Sequence, residues 1–160
     1  MVILKNRDGF TLIELLVSIG ILVILLTIAI PNYGAMRARA RLRGATLRLY
    51  GDINYAKINA IKTGVHHTIL FNQSIGGSTY NYVIFMDQDS DTTYDSGERI
   101  VKRVNYSGTE YQGVTISANP IRFNSQGLLA TGAQTITLTE NSQNITQKIT
   151  INMLGRVNVQ

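Results

Sequence analysis

The sequence predicts an α+β fold. One long N-terminal helix, transmembrane in its first half and amphipathic in its second, packs on an antiparallel β-sheet or β-sandwich. Three observations predict it: an apolar run over residues 10–30, a helical stripe of apolar residues within 32–63, and alternating strand patterns from Val65 onward. With 160 residues and 44% hydrophobic content, the chain can form one domain with a core beside the anchor.

The apolar run FTLIELLVSIGILVILLTIAI fills residues 10–30. As a helix it would be roughly 31 Å long, enough to cross a hydrocarbon core of about 30 Å. A secretory signal does not fit, because its apolar region is shorter and is followed by a small-residue cleavage site, whereas Pro31 closes this segment. Residues 10–31 are therefore predicted to be a transmembrane helix.

The run contains one charged residue, Glu14, and a polar leader of residues 1–9 precedes it. An acidic side chain deep in lipid costs on the order of 2.5 kcal/mol or more and indicates a functional role with a partner. Near the headgroups, Glu14 could instead extend its carboxylate to water. The charge alone leaves both interpretations open.

Residues 9–15, GFTLIEL, resemble the processing and methylation motif of type IV pilins and type II secretion pseudopilins. This resemblance implies that a prepilin peptidase cuts between Gly9 and Phe10 and that the new amino group of Phe10 is N-methylated. It also implies that Glu14 pairs with the N-terminal amine of a neighbouring subunit, since a buried ammonium and carboxylate neutralise each other. Glu14 is thus expected to set the register of assembly, with Pro31 as a second assembly residue where the helix can bend.

After the anchor, apolar residues recur at steps of three or four, which predicts that the helix continues to about residue 63 and ends at Gly64. The stripe comprises Ala38, Leu42, Ala45, Leu49, Ile53, Ala56 and Ala60. Five arginines between Arg37 and Arg48 surround this helix. They indicate either contact with lipid phosphates or a surface for a partner or nucleic acid.

The orientation of the anchor is a point of conflict. By the positive-inside rule, the arginines after the anchor favour a cytoplasmic domain, because only Lys5 and Arg7 oppose them. The resemblance implies the reverse: a single-pass protein of the bacterial inner membrane, with a cytoplasmic leader and with residues 32–160 forming a periplasmic or extracellular domain. We follow the motif, because its peptidase acts on a cytoplasmic leader.

From Val65 onward the chain alternates short strand patterns with turn residues. The predicted strands are HHTILF, YNYVIFM, ERIVKRV, VTISA, IRFNS, TITLTE and QKITINM. Their order and the segments RARLRGA, AKINAIKTG, FMDQDSDTTYDSGERIV, IRFNSQG and MLGRVNV resemble the GspH/FimT family of minor pilin-like proteins. The resemblance covers most of the chain.

The resemblance implies a structural minor pseudopilin of a type II secretion system, incorporated into the pseudopilus near its tip for protein export. Its implied partners are other pseudopilins or pilins through the N-terminal helix, the prepilin peptidase, the assembly platform of the inner membrane and the secreted cargo. The alternative is a FimT-like minor pilin of a type IV pilus that binds DNA during uptake. For that role Arg156 is the candidate contact, although Asn158 stands where the family's motif has a second arginine.

The acidic loop after the second predicted strand has the oxygen-ligand spacing of a calcium loop. Asp87, Asp89, Asp91, Thr93, Asp95 and Glu98 occupy positions 1, 3, 5, 7, 9 and 12 of that frame. Thr92 replaces the glycine of position 6, and the flanks are strands rather than helices. The loop is therefore solvated, stabilised by Ca2+ or a docking site for a basic partner; no other cofactor is expected.

Enzymatic activity is not expected. The chain has no cysteine, which excludes disulfides and thiolate metal sites. His66 and His67 are adjacent and point to opposite faces of a strand, so they cannot serve one site. The acids cluster in one loop rather than forming an acid/base pair in a cleft.

Overall fold

A computed structural model of the chain describes residues 10–160 and, for residues 28–32, the backbone only. One helix and eight strands follow one another along this described chain. They are α1 Leu12–Thr63, β1 His66–Ile75, β2 Ser78–Asp87, β3 Ile100–Val104, β4 Val114–Ser117, β5 Ile121–Phe123, β6 Gln134–Glu140, β7 Ile145–Ile151 and β8 Val157–Val159. The predicted α+β class is confirmed.

The chain divides into two compact units, Met1–Arg37 and Ala38–Gln160. In the first unit, every large apolar side chain of residues 10–27 is exposed. No helix within the described part of the chain contains a stretch long and apolar enough to cross a membrane. The predicted transmembrane span, residues 10–31, includes residues whose side chains the structure does not describe, Pro31 among them. The span therefore stays a prediction.

In the second unit, the buried face of α1 consists of the apolar stripe seen in the sequence. Each residue of the stripe is at most 3% exposed: Ala38, Leu42, Ala45, Leu49, Ile53, Ala56 and Ala60. The helix ends at Thr63 because Gly64 adopts a φ of 70°, a conformation that glycine accepts without strain, and donates its amide to the Ala60 carbonyl at 3.0 Å.

The strands form two antiparallel sheets of four, in the orders β3-β2-β1-β5 and β4-β6-β7-β8. In the first sheet, the long β1–β2 hairpin pairs His66 with Asp87 and turns at Gly76 and Gly77, which both have positive φ as a tight two-residue turn requires. Seven strands match the predicted ones in position. The eighth, β8, has only three residues and too short a pattern to be predicted.

One hydrophobic core joins the helix stripe to both sheets. The first sheet contributes Ile69 and Ile84, and the second contributes Ile136 and Leu138, all fully buried. Because both sheets pack on the same core, the two sheets and the second half of α1 form one folding unit.

Polar contacts at Asp52 and Arg41 tie α1 to the sheets. The buried Asp52 carboxylate accepts a hydrogen bond from the Tyr82 hydroxyl at 2.7 Å and pairs with Lys102 Nζ at 2.6 Å. Burial raises the pKa of Tyr82, so the phenol stays a neutral donor. On the other sheet, the fully buried Glu140 accepts from Arg41 at 3.4 Å.

Candidate functional site

The described part of the predicted processing and assembly motif lies at the N-terminal end of α1. Phe10 is the first described residue and is 81% exposed. Thr11 caps the helix, because its hydroxyl oxygen accepts a hydrogen bond from the Glu14 amide at 3.3 Å. Glu14 lies in the first turn and is exposed, so its carboxylate is accessible to a partner. Gly9 lies outside the described residues, and cleavage before Phe10 stays a prediction.

The hydroxyl groups of the apolar segment are satisfied within the helix. Ser18 donates to the Glu14 carbonyl at 2.8 Å, and Thr27 donates to the Val23 carbonyl at 2.7 Å. These bonds to the preceding turn remove the need for water at either hydroxyl, which suits an apolar environment. Over residues 12–27, the surface is therefore apolar except for the Glu14 carboxylate.

The acidic loop connects β2 to β3 and begins at Asp87, which is 1% exposed. One carboxylate oxygen, Oδ2, accepts hydrogen bonds from the Thr68 hydroxyl at 2.7 Å and the Thr92 amide at 3.2 Å. Arg122 lies 3.9 Å from the same oxygen. The other oxygen, Oδ1, is buried and has no hydrogen-bond partner in the described chain.

Asp89 and Asp91 are exposed and complete a cluster with Asp87. One carboxylate oxygen from each residue can be chosen so that all three lie within 4.8 Å of one another. Asp91 is oriented by Thr93, whose hydroxyl and amide both donate to the carboxylate, the amide at 2.7 Å. The hydroxyl bond from Thr93 is the main cause that lowers the pKa of Asp91.

The predicted ligands Asp95 and Glu98 lie outside the cluster of Asp87, Asp89 and Asp91. The carboxylate of Glu98 accepts the Gln88 amide at 3.0 Å and the Asp95 amide at 3.1 Å, which closes the loop on itself. Among the described residues, the cluster contains neither Glu98 nor Asp95. Thr92 makes the turn expected of glycine, with a φ of 69°.

The two histidines of β1 have separate surroundings. His66 Nδ1 lies 2.6 Å from the Ser90 hydroxyl of the acidic loop. His67 is buried, its Nδ1 lies 3.1 Å from the Val65 carbonyl, and burial lowers the pKa of its imidazole. The two rings therefore do not form a common site.

Arg156 is exposed at the turn between β7 and β8. Its amide donates to Asn152 Oδ1 at 2.9 Å, and the preceding Gly155 accepts from Lys57 Nζ at 2.9 Å. A Cβ at Gly155 would lie 2.3 Å from the Gly127 carbonyl oxygen, so only glycine fits this turn. The turn presents Arg156 to solvent, but its contact with DNA stays a prediction.

A cleft of about 460 Å³ lies on the second unit. Its lining in the described chain is uncharged, with five amide side chains from Asn72, Asn81, Asn105, Gln112 and Asn141.

Comparison with family models identifies two segments of the chain. The model described as type II transport protein GspH matches residues 45–155. The model of the prokaryotic N-terminal methylation motif matches residues 4–30. The methylation-motif match thus precedes the GspH match along the chain.

Several known proteins are similar to the chain. The pilin-like protein PilA1 of Thermus thermophilus is 28% identical over 97% of this chain and 99% of its own length. Two fimbrial proteins of Pseudomonas aeruginosa are 33% identical over 59% of this chain, which spans half of their length. The crystal structure of the type IV minor pilin FimU of Pseudomonas aeruginosa aligns with a TM-score of 0.58 at 15% identity, covering 76% of this chain and 90% of FimU. That structural similarity confirms the type IV pilin-like fold.

Proposed function

The chain belongs to the GspH family of type II transport proteins, and from this premise we propose that it is a structural minor pseudopilin of a type II secretion system. It is a type IV pilin-like minor pilin or pseudopilin, and its family and fold are those of structural pilins rather than enzymes. The observation that supports the secretion role is the family match over residues 45–155, which follows a methylation motif in the same chain.

The proposed mechanism begins with processing. A prepilin peptidase removes residues 1–9, and the amino group of Phe10 is methylated. The new N-terminus then lies one helical turn before the exposed carboxylate of Glu14. An ammonium from one subunit and this carboxylate from the next would neutralise each other inside a filament, where either charge alone would be costly to desolvate.

The exposed apolar surface of residues 12–27 has two proposed environments. Before assembly, the lipid of the inner membrane covers this surface. In the filament, the helices of other pilins or pseudopilins cover it. Both are apolar, so transfer between them costs little hydrophobic free energy. The inner-membrane assembly platform and secreted cargo are the further partners of this proposal.

The proposed topology places the leader in the cytoplasm and residues 32–160 in the periplasm. Alkaline phosphatase fused after Gln160 tests it, because this enzyme requires the oxidising periplasm for its disulfides. Active fusions are expected. Inactive fusions, together with an active cytoplasmic reporter at the same site, would show that the arginines after the anchor set the orientation instead.

Deletion of the gene in the source organism separates secretion from pilus function. We expect loss of proteins from the culture medium and their accumulation in the periplasm, with restoration by the wild-type gene. Normal secretion combined with lost DNA uptake would contradict the proposal and support the FimT-like alternative. An Arg156→Ala strain, assayed for both phenotypes, identifies whether that side chain contributes to either.

A further inference from the structure

We propose that the loop between β2 and β3 binds a calcium ion through the carboxylates of Asp87, Asp89 and Asp91. The remaining coordination positions would be filled by water and by backbone oxygens, as Ca²⁺ commonly accepts. This site is independent of the membrane segment and of the proposed secretion role.

The buried carboxylate of Asp87 is the first reason. Its Oδ2 is fully engaged by Thr68 and Thr92, whereas Oδ1 is buried without a hydrogen-bond partner. Leaving a buried charged oxygen unpaired is unfavourable, and a bound cation removes that penalty. Thr68 and Thr92 thus fix one oxygen of Asp87, while the other oxygen has no donor in the described chain.

The distances within the cluster are the second reason. Oxygens bound to one Ca²⁺ at 2.3–2.6 Å can be at most about 5 Å apart. The chosen carboxylate oxygens of Asp87, Asp89 and Asp91 lie within 4.8 Å of one another. Alternate residues of a curled loop can direct their side chains to one point, and the left-handed backbone at Ser90 and Thr92 provides the curl.

The charges around the loop favour a divalent ion. Arg122 approaches Asp87 from β5 at 3.9 Å, on the Oδ2 side, and its guanidinium also contacts the Ser90 carbonyl. His66 faces the loop through Ser90. The three carboxylates carry −3 and Arg122 carries +1, so two negative charges remain when His66 is neutral. Glu98 is occupied with the Gln88 and Asp95 amides and adds further negative potential.

Calcium fits better than magnesium. Mg²⁺ requires near-ideal octahedral geometry and gives up its water reluctantly, whereas Ca²⁺ tolerates irregular ligands. Because two of the three carboxylates are exposed, we expect a dissociation constant on the order of 10⁻⁴ to 10⁻³ M, the range of extracellular calcium modules.

Two measurements on the full chain, purified in detergent micelles and freed of metal, test the proposal. The first is Tb³⁺ luminescence excited through tyrosine and displaced by Ca²⁺; the sequence has no tryptophan, and Tyr94 lies within the loop. The second is the melting temperature in Ca²⁺ or Mg²⁺ at equal ionic strength. Calcium is expected to raise the melting temperature by a few degrees at about 10 mM, and magnesium by less.

Three variants show where the ion binds. The double variant Asp89→Asn/Asp91→Asn should weaken Ca²⁺ binding by about tenfold or more, since it removes two ligand charges. Asp95→Asn, in the same loop but outside the cluster, should stay within about threefold of the wild type, and Glu110→Gln, elsewhere on the surface, should be unchanged. All four substituted positions are exposed, so folding should be retained.

The proposal fails if wild-type melting is the same in Ca²⁺ and Mg²⁺ and Ca²⁺ does not displace Tb³⁺. It also fails if the double variant responds to Ca²⁺ as the wild type does. Equal loss of binding in Asp95→Asn and in the double variant would overturn the three-carboxylate site. None of these results depends on whether the protein works in secretion.

Discussion

Helix α1 has two regions whose apolar residues are arranged differently around the helix. In residues 12–27, leucine, isoleucine and valine point outward on all sides, and Ile19 is 49% exposed. In residues 38–63 one stripe of alanine, leucine and isoleucine is buried, with Ile53 fully buried, whereas Leu47, Ile58 and Ile61 lie off the stripe and are exposed. A helix that is apolar on every side requires cover around its whole circumference, whereas a one-sided stripe requires one packed face. The first region thus exposes its apolar surface, whereas the second buries one face in the core of this chain.

The largest expected effect comes from matched substitutions in these two regions. Ile53→Ala should lower the free energy of unfolding by about 2–5 kcal/mol, because it leaves a cavity in the core. Ile19→Ala should leave the unfolding of Ala38–Gln160 nearly unchanged, because Ile19 is exposed. Denaturant unfolding of the full chain in detergent measures both. Equal destabilisation by the two changes would contradict the conclusion that residues 38–63 stabilise the folded unit and residues 12–27 do not.

A smaller effect should follow from the polar contact between helix and first sheet. Tyr82→Phe removes the hydrogen bond to Asp52 and should cost about 1.5–3 kcal/mol, the range for hydrogen bonds to charged groups. Tyr55→Phe, on the exposed side of the same helix, is the control and should cost little. A double-mutant cycle with Asp52→Asn isolates the pair. Additive costs would show that the contact does not couple helix and sheet.

The smallest expected effect is a pH dependence at His67. Because burial lowers the pKa of His67 in the folded protein, the unfolded chain binds the proton more readily. The contribution of His67 to stability is therefore complete above the unfolded pKa of about 6.5 and decreases as the pH falls below it. Melting temperatures between pH 7.5 and 5 for wild type and His67→Gln measure this. An identical pH dependence in both proteins would contradict it.

The second region of the helix and most of the sheets could be predicted from local pattern. Apolar steps of three or four identified the stripe, and glycine marked the end of the helix at residue 64. Alternation identified strands such as β6, because one face of each is buried. The pairing of strands into two sheets could not be predicted, since it depends on contacts between residues far apart in sequence.

The polar contacts were harder to predict. Glu140 continues the buried alternation of Ile136 and Leu138, so its position on the inner face could have been inferred, although its partner Arg41 could not. Asp87 was predicted as a ligand by spacing, but its burial follows from the long-range contacts with Thr68 and Arg122. Sequence spacing also could not show that the Glu98 carboxylate accepts two backbone amides of the loop.

The central claim is that the exposed first region serves assembly, with Glu14 as its polar contact. The most direct test expresses Glu14→Ala beside wild-type subunits, purifies the filaments and measures the share of the variant by quantitative mass spectrometry. Glu110→Ala, an exposed acid of the second unit, is the control. We predict that Glu14→Ala is processed and inserted into the membrane normally but is strongly depleted from filaments, while the control is not. Incorporation of Glu14→Ala at the wild-type level would contradict the account.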